Sequence, residues 1–483
     1  MSAEANLAIL IGYFLVLMLI SWFAGRDADE KSFYHGNKKS PWFLVAFGMI
    51  GASLSGVTFI SIPGWVEASH FGYMQTVFGY MIGYMVIAWV LLPLYYRLRL
   101  TSIYTYLEQR YGDYGYKTGA AYFIISRVVG ASFRLFLVAE VLHMAIFDHF
   151  GLAYWMTVAI TILLIFTYTT KSGIKTVVYT DVFQTSFMIL AVLLTIAFIA
   201  NALGLDFSGM VERLKSDPNT QIFHMDWKSG NFFWKQFIGG AFIALVMTGL
   251  DQDMMQKNLS IKNIGSAQKN IYAQMVMFIV VNLVFLCLGA LLYQYKAHMG
   301  IDGVEQTDKL FPIIALKYGG PLVGLFFILG LVAAAYSSAD SALTALTTSF
   351  CVDFLGFERT KPTNKRTRRI VHFSFALVLF LTIIIFNGLN NDAVIKQLFT
   401  AAGFTYGPLL GLFFFGILTK IQIKDIWIVP ITIISIGLTW LYYAYSPTWI
   451  DGYKPGFELI LINGLLTFGM LYLARETKHT QTI

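Results

Sequence analysis

The sequence predicts an all-α polytopic membrane protein of about thirteen transmembrane helices. Three observations lead there. Of its 483 residues, 57% are hydrophobic and only 13% are charged, against roughly 25% charged in an average soluble domain. The apolar residues form continuous runs rather than the short alternating segments of a β-barrel. Glycine, hydroxyl side chains and a proline interrupt one of these runs at mid-membrane depth. The composition excludes a soluble enzyme, a disordered chain and a nucleic-acid binder, despite the net charge of +7.

In chain order the apolar segments fall near 5–25, 41–66, 72–98, 116–146, 151–170, 176–204, 232–257, 267–295, 320–355, 368–388, 393–419, 425–446 and 457–474. Helices are expected because backbone polar groups in lipid must be satisfied within the segment. The first run, Leu7 to Gly25, has no basic residues before it and no evident cleavage site. It is expected to be a retained helix rather than a signal peptide. Cys287 and Cys351 both lie in or beside apolar runs and read as packing residues, with no disulfide framework. Basic residues gather in alternate loops, including Lys38 and Lys39, Arg97 and Arg99, Lys171 and Lys175, Arg359 to Arg369, and Lys420 and Lys424. The positive-inside rule then puts the N-terminus outside and the C-terminus in the cytoplasm.

Gly51-Ala-Ser-Leu-Ser-Gly-Val-Thr-Phe-Ile-Ser-Ile-Pro-Gly64 frees backbone groups inside the membrane. Such a stretch is tolerated only where protein encloses it. A second interruption, from Gly239-Gly240 to Asp251, follows five helices later. An odd offset makes the two segments cross in opposite directions, as an inverted five-helix repeat requires, and paired broken helices mark a midplane binding site.

Charges within apolar runs are costly and therefore point to function. They are Arg127 and Arg134, seven residues apart on one helix side, Asp181, and Asp340 in Gly330-Leu-Val-Ala-Ala-Ala-Tyr-Ser-Ser-Ala-Asp-Ser341. The small residues Ala334, Ser337, Ser338 and Ser341 recur every three or four positions, a spacing that serves close helix packing. The same residues beside a carboxylate also suit a hard cation, which seeks several oxygen ligands. Arg134 reads either as a fork for a substrate carboxylate or as half of an ion pair, with Glu140 or an aspartate as partner to it or to Arg127. Nothing in the sequence suggests a nucleophile–base pair, so it is not read as an enzyme.

At these residues the sequence resembles the sodium:solute symporters. The matching runs are Leu54 to Pro63, Arg97 to Tyr111, Gly173 to Gln184, Asp251-Gln-Asp-Met-Met-Gln-Lys257, Ala333 to Ser338 and Gly407 to Gly416. The branch with bacterial sialic-acid symporters and iodide, vitamin and monocarboxylate carriers is most similar. The resemblance implies a leucine-transporter-like inverted repeat with one extra N-terminal and two extra C-terminal helices. That divides the chain into 1–40, 41–231, 232–420 and 421–483. It also implies a sodium site made by the carbonyls of Gly51, Leu54 and Ala334 with the hydroxyls of Ser337 and Ser338. A second cation site, for sodium or a proton, would use Asp181, Asp340 and Ser341. Asp340 stands where relatives with that second site usually have Ser or another small residue.

On the substrate side, the resemblance points to Ser53, Ser55, Thr58 and Arg134. Ala244 and Met247 stand where sugar-binding relatives carry polar groups, and Val77 is apolar at a further polar position. The expected function is sodium-driven uptake of a small organic solute, a carboxylate-bearing anion such as a sialic acid or a monocarboxylate. Its partners are sodium (one ion, with a second site open), the substrate and the lipid bilayer of a plasma (inner) membrane, with no nucleic acid and no obligatory protein partner. Sodium/sugar and proton-coupled symport are the alternatives. A solute sensor would need a signalling domain, for which the short segment after Arg475 leaves no room. A channel would need a filter ring that the sequence does not display.

Overall fold

The computed structural model describes residues 2–24, 41–98, 100, 102–169, 174–357, 360–388 and 394–476. Of the topogenic residues, Lys38, Lys39, Arg99, Lys171 and Arg359 lie outside the described residues. The helices that matter below are α1 (Ala3–Ala24), α2 (Trp42–Ser53), α3 (Gly56–Ser69), α4 (Tyr73–Val86), α5 (Asp113–Leu142), α6 (Tyr154–Thr169), α7 (Ile174–Ala202), α8 (Phe233–Ala244), α9 (Gln252–Leu259), α10 (Ile264–Met299), α11 (Gly320–Ser349), α12 (Lys365–Asn387), α13 (Val394–Leu418), α14 (Ile428–Trp449) and α15 (Leu459–Leu473).

Among the described residues, nine helical stretches are long and apolar enough to cross a membrane. A tenth arises if Phe233–Gly249 and Gln252–Leu259, bent by 64°, count as one span. Trp42–Ser53, Tyr154–Thr167 and Leu459–Leu473 are apolar but shorter. One of the nine, Gly56–Leu98, joins two of the expected runs at a corner, His70–Gly72. His70 ends α3 with φ of 52°. The polar segment after α7 also forms a short helix, Phe207–Ser216, capped by the Asp206 side chain on the Gly209 N–H.

Both expected interruptions are present. The first separates α2 from α3 at Leu54 (ψ 65°) and Ser55 (ψ 178°). Pro63 inside α3 removes one more ladder donor. The second separates α8 and its wider last turn, Leu245–Gly249, from α9. Asp251 caps α9 by accepting from the N–H groups of Asp253 and Met254 at 3.0 and 3.2 Å.

Small residues let the broken helices seat closely. A Cβ on Gly79 or Gly83 of α4 would lie 2.0 or 2.4 Å from the carbonyl oxygens of Phe237 or Ala241, so α4 and α8 cross nearly backbone to backbone. Likewise Gly51 of α2 would put a Cβ 2.0 Å from Thr185 Oγ1 of α7. α7 packs extensively on both α2 and α11, and α5 packs on α11 and α13. The molecule thus surrounds its two breaks with α5, α7 and α11, while α14 and α15 pack against α13 at the periphery.

Candidate functional site

Three groups of polar residues meet around the breaks. The first lines a cavity of about 60 Å³. Ser53, Ser55 and Thr58 border it from the first break, and Arg134 from α5. Tyr73, Tyr80 and Tyr84 of α4, Ala244, Met247 and Thr248 beside the second break, and Phe399 of α13 complete most of the wall. All four substrate residues expected from the sequence therefore share one cavity. Ala244 and Met247 also face it, whereas Val77 is buried but does not line it. The three tyrosines carry no earlier assignment. Their spacing of seven and four residues puts them on one helical face, and that pattern is their only sequence signal. The hydroxyls of Tyr73 and Tyr80 lie 3.1 Å apart.

Arg134 is 7% exposed. Its Nε has no hydrogen-bond partner, and no ion pair among the described residues includes it. Glu140, near the C-terminal end of α5, pairs with Lys309 at 3.4 Å. The helical stagger explains this: six residues along α5 point the two side chains to different faces. An Arg134–Glu140 pair is therefore not formed. The aspartate pairing falls to Arg127, which bonds to Asp253 and lies 3.6 Å from Asp251. Asp251 also accepts from Tyr406 at 2.8 Å. The second group, Arg127 with its aspartates, thus ties α5 to α9 and α13 in a dry interior. An unpaired charge there would cost several kcal/mol.

The third group joins α7, α9 and α11. Ser337 donates to Asp181 Oδ1 at 2.7 Å. Lys257 Nζ donates to Asp181 Oδ2 and to Ser341 Oγ, each at 2.8 Å. Asp340 Oδ1 accepts from the Ser341 N–H at 2.5 Å. All these residues are at most 2% exposed. Ser338 Oγ is buried with no hydrogen-bond partner among the described residues. That orphaned acceptor fits a cation site on the α11 side, as does the interruption of the helix at the buried Leu54 on the α2 side. Gly51 faces the same α7 turn: its Cβ would lie 3.5 Å from the Asp181 carbonyl.

The expected second site differs from its sequence reading. Asp181, Asp340 and Ser341 do converge, but Lys257 enters with them and already holds Asp181 and Ser341. Lys257 stood within the matched run Asp251–Lys257 without a role. A basic residue seven positions after an apolar break was a visible signal, yet its partner Asp181 lies 76 residues away.

With this geometry in place, comparison with known proteins agrees. The profile of the "Sodium:solute symporter family" matches residues 33–422, so the chain belongs to that family. It is 24% identical to the human sodium/iodide cotransporter over 84% of this chain and 65% of that protein. It is 27% identical to the Mus musculus sodium-coupled monocarboxylate transporter 1 over 82% of this chain and 65% of that one. The match to the sodium/sialic acid symporter NanT of Aliivibrio fischeri is 23% over 86% and 83%. The chain thus spans a little under two thirds of the first two relatives. A substrate-bound, outward-open Na+-coupled sialic acid symporter has the same fold, with a TM-score of 0.80, 20% identity and 97% of both chains covered. A nucleobase-cation-symport-1 family transporter in a closed conformation is a more distant match, at 0.57, 12% identity and 92% and 93% covered.

Proposed function

We propose that this protein is a sodium-driven symporter for a small carboxylate-bearing anion, working by alternating access in a plasma (inner) membrane. The observation that carries the reading is Arg134: a buried guanidinium without an ion-pair partner among the described residues, in a cavity bordered by the first helix break. A carboxylate offers that fork two parallel charge-assisted bonds. The aromatic and aliphatic part of the wall favours a compact monocarboxylate over a polyhydroxylated sugar acid. A neutral sugar would leave its hydroxyls facing Ala244, Met247 and Phe399.

Sodium binds the carbonyls of Gly51, Leu54 and Ala334 and the hydroxyls of Ser337 and Ser338. The unpaired Ser338 hydroxyl and the break at Leu54 support this assignment. Gly51 and Leu54 contribute to the ion site, while Ser53, Ser55 and Thr58 border the substrate cavity, so filling one pre-orders the other. If each broken helix makes one pass, the chain crosses the membrane thirteen times, N-terminus outside and C-terminus inside. Its inverted repeats then span 41–231 and 232–420, preceded by 1–40 and followed by 421–483.

A thermal-shift screen tests the reading. Purified protein is melted with sialic acids, monocarboxylates, sugars and amino acids, in sodium and in choline. A ligand that binds the folded state raises its melting temperature by mass action. Sodium-dependent stabilisation by a monocarboxylate is the expected result. Stabilisation by neutral sugars, or equal stabilisation without sodium, overturns it.

A further inference from the structure

We propose that Lys257 is a built-in cation: its ammonium occupies the place of a second metal ion, so the protein binds one sodium ion and not two. The inference rests on the sodium reading above. It starts from a disagreement between the expected second-site residues and their geometry. Both oxygens of Asp181 are taken, Oδ1 by the Ser337 hydroxyl at 2.7 Å and Oδ2 by Lys257 Nζ at 2.8 Å. Ser341 Oγ is also taken by Nζ, at 2.8 Å. Asp340 Oδ1 is turned onto the Ser341 N–H at 2.5 Å.

A second sodium ion would need these same oxygens. It would also sit within a few ångströms of a full positive charge in a dry interior, where repulsion is weakly screened. The ammonium cannot easily withdraw, because Lys257 is 1% exposed and its helix is pinned at both ends. Asp251 caps the start of α9. Near its end, Asn258 donates to Met49 Sδ at 3.6 Å and accepts from Asn270 at 2.7 Å.

The lysine has a mechanical consequence too. A free ion leaves with each cycle, whereas the Lys257 ammonium stays and keeps α9, the second half of the broken helix, tied to α7 and α11. Lys257 is thus a positioning residue that fixes ion stoichiometry.

Equilibrium binding of radioactive 22Na+ to the purified full-length protein tests this without knowledge of the substrate. Wild type is expected to bind one ion per chain along a hyperbolic isotherm. Lys257→Met removes the charge but keeps much of the volume, and frees Asp181 Oδ2 and Ser341 Oγ. It is expected to bind two ions with a sigmoidal or two-phase isotherm. Lys257→Met combined with Asp181→Asn is expected to return to one. Lys257→Arg, which keeps the charge, stays at one. Two ions on wild type, or one ion with unchanged affinity on folded Lys257→Met, overturns the proposal. If Lys257→Met does not fold, the wild-type count decides alone. A wild type that binds no sodium overturns the sodium reading as well. One ion that survives Ser337→Ala and Ser338→Ala unchanged overturns only the assignment of the first site.

Discussion

Replacing Arg134 by lysine keeps a positive charge in the cavity and removes the fork. The guanidinium is 7% exposed, borders the cavity beside Ser55 and Thr58, and has no ion-pair partner among the described residues. A bound carboxylate therefore meets it undiluted by a competing aspartate. Hydrogen bonds to charged groups contribute about 1.5–3 kcal/mol each. Lysine reaches less far and offers a point charge, so one of two parallel bonds is lost. At 1.4 kcal/mol per tenfold, affinity for a monocarboxylate is expected to fall by roughly 10- to 100-fold. Sodium binding without substrate is expected to change little, because Arg134 is not among the proposed sodium ligands. Affinity is measured by thermal-shift titration or equilibrium binding, for the acid and for its amide, in wild type and Arg134→Lys. Wild type should prefer the acid strongly, and the variant should lose most of that preference. Equal binding of acid and amide by wild type, or an unaltered preference in Arg134→Lys, refutes the carboxylate role and leaves Arg134 structural.

Other outcomes follow from the same contacts. Ser338→Ala removes a buried hydroxyl that has no hydrogen-bond partner among the described residues, so folding should be nearly unaffected. The sodium half-saturation of thermal stabilisation should rise about tenfold, the loss of one oxygen ligand; an unchanged value rules the residue out of the site. Asp308 lies in the turn Thr307–Lys309, outside the spanning segments, and burial pushes its carboxyl up from 3.8 to about 6. Its Oδ2 accepts from the Val394 N–H at 3.2 Å, a contact that opposes the rise. The folded state thus holds the proton more tightly than the unfolded chain. The stability this provides is full below about pH 4 and is lost as pH rises through 6. Wild type should lose about 1 kcal/mol more than Asp308→Asn between pH 5 and 7, read from paired melting curves, and a relative gain over that interval contradicts the assignment. Gly83→Val should prevent the close crossing of α4 and α8, since even a Cβ there meets Ala241 O at 2.4 Å. Overpacking of this kind costs about 1–3 kcal/mol, and a melting temperature equal to wild type would show that the helices can separate freely.

The sequence by itself determined the parts of this protein that depend on local chemistry. A helical membrane chain follows from continuous apolar runs, and both breaks lie within stretches of residues that release the backbone: Gly51 to Gly64 in one case, Gly239 to Asp251 in the other, where the structure confines the break to the residues just after Gly249. The residue types around the breaks were legible for the same reason, since Ser53, Ser55, Thr58, Ser337 and Ser338 carry oxygen where lipid-facing residues would not. Tertiary structure alone decided how the charges divide. Arg127 and Arg134 look equivalent seven residues apart on one helix, yet Arg127 meets Asp253 while Arg134 faces the cavity. The bend of 64° after Gly249 carries Asp253 to the first arginine and Lys257 to Asp181. Helix rotation and the direction of a chain after a break are set by packing across the whole molecule, as where Gly79 and Gly83 admit α8. Sequence spacing measures position along a helix but not which distant element its faces meet. An ammonium seated between Asp181 and Ser341 could therefore be seen only once α7, α9 and α11 were brought together.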